Sequence, residues 1–377
     1  MNFRRTRAMA RKEMLHILRD PRSLAAAIVT PLTMLLIFGY ALSLDIDHIP
    51  TIVYDLDHSA QSQDLIRQFR GSRYFDIIEE TSSYRPIEKE IDARHALLGV
   101  VIPDDYSRNL ALGKEAQVQL LFDGSDSNTA TTALGYAEGL VSAYSAKIQQ
   151  DAQKQRAGAV TQGGVDARIR VWYNPDLVSR NFIVPGLIAV ILMIIVANLS
   201  SLTIAREWEN GTMEQLLSTP VRPAEMALGK LSAYFVLGML DLLICLFVGI
   251  FIFDVPFKGN IVTLMVSSCV FLFGGLACGI LISAANRTQL MAYQMGSLTS
   301  FLPAFLLSGF IYPIANMPRI IQGIALFVPA RYFIDILNGL FLKGVAFSMI
   351  WFDFLLLVGY GALMFFYATR KLREKVA

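Results

Sequence analysis

Six stretches of this chain are long enough and poor enough in charge to cross a lipid bilayer, and they limit the fold more than any motif does. Ser23 to Leu44 carries no charged residue, nor does Asn181 to Ala205, and Leu231 to Phe253 carries only Asp241. Gly259 to Asn286 and Thr288 to Pro318 are uncharged, and Val345 to Thr369 carries only Asp353. A helix needs about 20 apolar residues to span the hydrocarbon core. The fold class that follows is an α-helical polytopic membrane protein with six transmembrane helices, spaced as one, a gap, then five. Only 17% of the residues are charged, against roughly a quarter in ordinary soluble domains, which agrees with that reading.

The gap, residues 45–180, holds 14 basic and 20 acidic residues and is long enough for a domain of its own. Orientation follows from the short loops, because Lys and Arg are retained on the cytoplasmic side. With the N-terminus inside, the cytoplasmic segments hold 15 basic residues and the short outer loops 4. The expected plan is a cytoplasmic amphipathic helix at 1–22, transmembrane helix 1 at 23–44 and an inserted extracytoplasmic α/β domain at 45–180. Transmembrane helices 2–6 occupy 181–369, and a cytoplasmic tail runs over 370–377. A cleaved signal peptide is the competing view of the first span, but its basic and apolar regions are both longer than such signals carry.

Within 45–180 the pattern alternates. Residues 49–54, 74–78, 96–102 and 118–122 are expected as strands, from β-branched enrichment and alternation. Residues 59–69, 86–95, 104–112 and 129–156 carry helical spacing, and Ile169, Val171 and Tyr173 suggest a short returning strand. Two Asp-x-Asp-His tetrads, Asp45 to His48 and Asp55 to His58, raise the idea of a divalent cation. Turn and capping chemistry explains them better, because no third cluster completes a ligand set. No metal is expected. Cys245, Cys269 and Cys278 all lie in spans and read as small apolar fillers.

The chain has no Gly-x-x-x-x-Gly-Lys-Ser/Thr, so it lacks the loop with which a P-loop ATPase cradles phosphate. Energy for any uphill transport would come from a partner. A charged island at 206–230 separates two of the spans, and here the sequence resembles a known family. Arg206-Glu-Trp-Glu-Asn-Gly-Thr-Met-Glu-Gln-Leu-Leu-Ser-Thr-Pro-Val-Arg-Pro-Ala-Glu225, leading to Gly229-Lys230, is similar to the segment after the second span of ABC-2 type transporter permeases, the membrane subunits of bacterial ABC exporters. Arg11-Lys-Glu13 with Leu18-Arg-Asp-Pro-Arg-Ser23 resembles the family's N-terminal helix. Ser308-Gly-Phe-Ile-Tyr-Pro313, Met317-Pro318 and Pro329-Ala-Arg-Tyr-Phe333 resemble its outer hairpin, expected here as a re-entrant element at 312–344.

The resemblance implies a permease that pairs with a second copy or a paralogue and docks on a separate ABC ATPase subunit. No cofactor is expected on this chain, since ATP and Mg would belong to the ATPase. The long-outer-loop branch further implies multidrug efflux across the bacterial inner membrane with a membrane-fusion adaptor. The island would act as the coupling helix, through Arg206, Glu207, Glu209, Gly211, Thr212, Met213, Glu214, Leu216, Leu217, Pro220 and Glu225. Met213, Leu216 and Leu217 share a helical face that, flanked by acids, suits another protein's groove. A solvated loop with an interfacial helix is the plainer reading of the same pattern. The N-terminal helix, with Met9, Leu15, Ile17 and Leu18 among basic residues, reads as a membrane-surface anchor. The resemblance also sets Arg11, Lys12, Glu13, Arg19 and Asp20 beside the ATPase.

Asp241 and Asp353 are translocation candidates, because an ionisable residue in a span is costly to keep there. Pro313, Pro318, Pro329 and Arg331 mark a broken apolar segment that could form an outer gate. The lipid bilayer is the expected surrounding and nucleic acid is not an expected partner. The alternatives are an ion-driven secondary transporter, for which inverted repeats and several intramembrane charges are missing, and a membrane receptor, for which the C-terminal tail is short.

Overall fold

The computed structural model describes residues 2–42, 48–125, 127–156 and 178–376. It divides into two compact units, Met1–Ser43 with Val171–Ala377, and Leu44–Arg170.

The chain begins with α1 (Phe3–Arg19), opened by the Asn2 side chain, which accepts from the Arg4 amide at 3.1 Å. The apolar α2 (Pro21–Ala41) follows.

The second unit is built on a four-stranded sheet in the order β2-β1-β3-β4. Strand β1 (Ile49–Asp55) leads through α3 (Ala60–Gly71) to β2 (Phe75–Thr81), and α4 (Arg85–Asp92) crosses back to β3 (Leu98–Ile102). β1 pairs in parallel with both neighbours, so the central strand is covered on each face and buries Ile49, Ile52 and Val53. After α5 (Tyr106–Ala111), β4 (Gln119–Phe122) closes one edge antiparallel to β3, and α6 (Ser127–Arg156) follows. The expected returning strand at 169–173 lies outside the described residues. Ser59 starts α3 by reciprocal bonds with Ser62, each 3.0 Å, which is a capping box.

In the first unit the long helices are α7 (Arg180–Glu209), α9 (Pro223–Phe251), α10 (Ile261–Ala285), α11 (Gln289–Leu306) and α14 (Phe347–Val376). Between α7 and α9 sits the short α8 (Met213–Leu217), and between α11 and α14 sit α12 (Arg319–Ala325) and α13 (Pro329–Asn338). α7 is the axis. Every residue from Ile183 to Ala197 is buried, as expected of a helix apolar on all sides. α14 lies at the other extreme and exposes Trp351, Phe352, Leu355, Leu363 and Phe366.

α7 and α10 pack with little between them. A Cβ on Gly279 would strike Ser200 and come within 2.6 Å of the Ala197 carbonyl oxygen. Small residues at such a crossing let two backbones approach, which is how helices associate without a hydrophobic drive between them. Ser283 of α10 then accepts from the Ile204 and Ala205 amides of α7 at 2.8 and 2.9 Å.

Of the expected six spans, length and composition support four or five among the described residues. Among the described residues, four helices are both long and apolar enough to cross a membrane: α7, α9, α10 and α14. A fifth candidate is the bent pair of α12 with α13 and its extension to Lys343, broken by 82°. α11 has the length but carries Gln289, Gln294, Ser297, Thr299 and Ser300, which dilute its apolar character. α2 is an apolar helix over Ala27–Ala41 among the described residues.

Candidate functional site

The polar residues of the bundle gather where α1, α7, α8, α9 and α11 meet. Lys230, in the second turn of α9, is only 1% exposed. Its Nζ donates to Glu13 Oε2 of α1 at 2.9 Å, to Glu207 Oε1 of α7 at 3.3 Å and to the Thr203 carbonyl at 3.4 Å. An ammonium has three protons, and all three have acceptors. Lys12 Nζ, one residue before Glu13, donates to the same Glu207 Oε1 at 3.0 Å. Thr212 donates to the other oxygen of Glu207, and Tyr234 OH donates to Glu13 Oε1 at 3.4 Å. Two lysines face two glutamates, which keeps the buried cluster neutral and hydrogen-bonded, the condition under which buried charge is tolerated.

Backbone geometry brings α1 to this position. A Cβ on Gly229 would come within 2.6 Å of Met9 Cβ and 3.1 Å of the Thr6 carbonyl oxygen, so glycine is what lets α1 lie against α9. Met9, Glu13 and Ile17 recur at four-residue spacing and form the buried stripe of α1. Glu13 therefore enters the core on an otherwise apolar face.

A second carboxylate pins the start of the chain. Glu225 accepts from the Asn2 amide at 2.6 Å and from the Arg222 amide at 3.1 Å, and Arg5 stands 3.9 Å away. Arg5 also donates to the Pro220 carbonyl. A third link joins α7 to α11. Glu209 accepts from the Gln289 amide at 2.6 Å and from its side chain at 3.2 Å, while Arg206 donates to the Gln289 side-chain oxygen and to His16 Nδ1, both at 3.3 Å. Gly211, with φ of +71°, turns the chain out of α7 into α8.

The expected coupling residues thus separate into two groups. Glu207 and Glu225 are buried and hold the chain's own helices together, and Glu209 ties α7 to α11 while its side chain stays exposed. The apolar face of α8 also turns inward: Met213 is buried and Leu216 and Leu217 are half-buried against the bundle's own core. What α8 presents to the surroundings is Glu214 and Gln215, continued by the exposed Ser218, Thr219 and Pro220. On α1 the exposed side carries Phe3, Arg4, Arg7, Arg11, Lys12, Leu15, Leu18 and Arg19, while Asp20 caps the helix end.

The family described as "ABC-2 family transporter protein" matches residues 21–370. The chain belongs to this family. It is 39% identical over 348 residues to "Probable multidrug ABC transporter permease YbhS" of Escherichia coli (strain K12), covering 91% of this chain and 90% of that protein. Against "Probable multidrug ABC transporter permease YbhR" of the same organism it is 32% identical over 349 residues, 93% of each chain. "ABC transporter G family member 20" of Dictyostelium discoideum is 26% identical over 207 residues, 54% of this chain and 28% of that protein. The chain is a permease, the membrane subunit of an ABC exporter, and family membership implies an ATPase partner and a second permease.

The other expected positions lie elsewhere in the permease. Asp241 is fully buried on the interior side of α9, and neither carboxylate oxygen has a hydrogen-bond partner among the described residues. Asp353 is half-buried near the start of α14. Pro318 sits just before α12 and Pro329 is the first residue of α13, places where a missing amide costs nothing, and Pro313 opens the short turn Ile314–Asn316. Arg331 lies over the Tyr332 ring at 5.8 Å, and Tyr332 OH donates to the Leu326 carbonyl at 2.6 Å.

Of the tetrads, Asp55 is occupied by the Asp57 and His58 amides, Ser62 and Gln63, and Asp57 by Ser107. No group of three His, Cys, Asp or Glu comes together among the described residues. Asp45 and Asp47 lie outside them.

Sequence reasoning named Lys230 only as the end of a motif. The signal that could have found it is Glu13, an acid at the centre of the Met9–Ile17 apolar stripe, which demands a buried cation.

Proposed function

We propose that this permease crosses the inner membrane with six helices, α2, α7, α9, α10, α11 and α14, with both termini in the cytoplasm and the α/β unit outside. A separate ATPase docks on the exposed faces of α8 and α1, and a second permease, identical or paralogous, completes the pathway. ATP and Mg reside on the ATPase. Drug or xenobiotic efflux is the activity, because the relatives named above are described as multidrug permeases, and a membrane-fusion adaptor would carry the cargo onward.

The observation that carries this reading is the Lys230 cluster. It clamps α1, α7 and α9 into one block beneath α8. A push on Glu214 would then move two spans together instead of bending a loop. Asp241, fully buried inside the bundle, is the transport candidate, with Asp353 and the Pro313, Pro318, Pro329 and Arg331 hairpin at the outer gate.

The test is co-purification of the ATPase with the permease, repeated with Glu214→Arg. The Glu214 side chain is exposed and has no hydrogen bond or ion pair among the described residues, so the variant should remain monodisperse and lose the ATPase. Undiminished association would remove α8 from the docking surface.

A further inference from the structure

We propose that the groove between the first turn of α9 and the last turns of α14 binds the headgroup of an anionic phospholipid. The groove encloses about 920 Å³ and is lined by Arg222, Pro223 and Ala224 on one side and by Phe366, Thr369, Arg370, Arg373 and Glu374 on the other. Three guanidinium groups face one carboxylate. That carboxylate is already engaged, since Glu374 pairs with Arg370 at 3.4 Å and with Lys371 at 3.0 Å. Arg222 and Arg373 have no carboxylate within ion-pair distance among the described residues, and both are exposed. Pro223 and Ala224 form the first turn of a 29-residue helix, so the positive end of its dipole opens on the same space.

The groove is amphipathic along the helix axis. Below the arginines, α14 exposes Phe366, Tyr367 and Leu363 toward what the apolar spans identify as lipid. A phosphodiester held by planar guanidinium forks, with acyl chains running down that aromatic and aliphatic strip, uses both halves of the site. A free phosphate would use only the upper half. Basic pockets between helix ends at the cytoplasmic face favour anionic over zwitterionic headgroups. The site rests on membrane insertion and on the proposed cytoplasmic placement of these helix ends, and stands whether or not the chain exports drugs.

The experiment is native mass spectrometry of the full chain in detergent, titrated with phosphatidylglycerol or with phosphatidylcholine. The expected result is retention of phosphatidylglycerol at least tenfold tighter than phosphatidylcholine, lost in Arg222→Gln/Arg370→Gln/Arg373→Gln. A control that removes charge elsewhere, Lys89→Gln/Lys114→Gln at exposed positions of the α/β unit, should retain it. Because three lost charges could disturb insertion of α14, Arg370→Lys/Arg373→Lys keeps the charge and should weaken retention by severalfold through loss of the fork. Equal retention of both lipids, equal loss in the control, or displacement by millimolar inorganic phosphate would each overturn the proposal.

Discussion

Lys230 Nζ and Glu13 Oε2 stand 2.9 Å apart with both side chains almost wholly buried, joining residues 217 positions apart in sequence. Lysine can reach this depth only because Glu207, Thr203 and Lys12 complete a neutral, saturated cluster.

Replacing Lys230 by Met leaves two glutamates at the cluster with Lys12 as the remaining countercharge. Removing one partner of a buried ion pair costs about 3–5 kcal/mol. The apparent midpoint of thermal unfolding in detergent should fall by several degrees. Glu13→Gln on top of Lys230→Met should cost less than the two single losses combined, because the partners couple. Additive losses would show that the pair does not interact.

Gly229→Val should separate α1 from α9, since the added carbon meets Met9 and the Thr6 backbone. Limited trypsin digestion should then cut at Arg7 or Arg11 faster than in the parent, with the bundle itself still folded. An unchanged cleavage rate would mean that α1 does not need this contact.

Gly279→Ala places a methyl against Ser200 and the Ala197 carbonyl. Overpacking of this kind costs about 1–3 kcal/mol, more than the gain in helix propensity of about 1 kcal/mol returns. Gly359, whose added carbon meets nothing, is the control: Gly359→Ala should leave the unfolding temperature unchanged or raise it.

Asp57 offers a pH test in the α/β unit. Burial works to raise its pKa, but hydrogen bonds from Ser59 and Ser107 outweigh it and hold the carboxyl below the ordinary 3.8. A depressed folded pKa contributes stability that is fully present above the unfolded value and fades as pH falls through the folded one. Asp57→Asn should therefore speed amide exchange around Ser107 at pH 6, with the difference from the parent shrinking below about pH 4. A difference that stays constant down to pH 3 would contradict the assignment.

The apolar run at Asn181 to Ala205 identifies the central helix because its pattern is local and has no polar face to misplace. The strand at 49–54 is equally legible, since β-branched residues flanked by turn residues report on the backbone itself. The Lys230 cluster is not local: Glu13, Glu207 and Lys230 come from three helices, and nothing in the spacing of one reveals the others. The direction in which α8 turns its apolar face is hidden for a related reason. Met213, Leu216 and Leu217 show that the helix has an apolar face, but the same pattern serves a neighbour in the same chain as well as a partner. The span count is least legible at α11, where Gln294 and Thr299 sit in a charge-free run and keep it below the apolarity of its neighbours.

The most direct measurement is ATP-driven dye export alongside ATP hydrolysis in proteoliposomes holding the permease and its ATPase, compared between the parent and Lys230→Met. If the Lys230 cluster carries motion from α8 to the spans, hydrolysis should persist while export per ATP falls about tenfold or more. Export per ATP equal to the parent's, from a variant that still binds the ATPase, would contradict it.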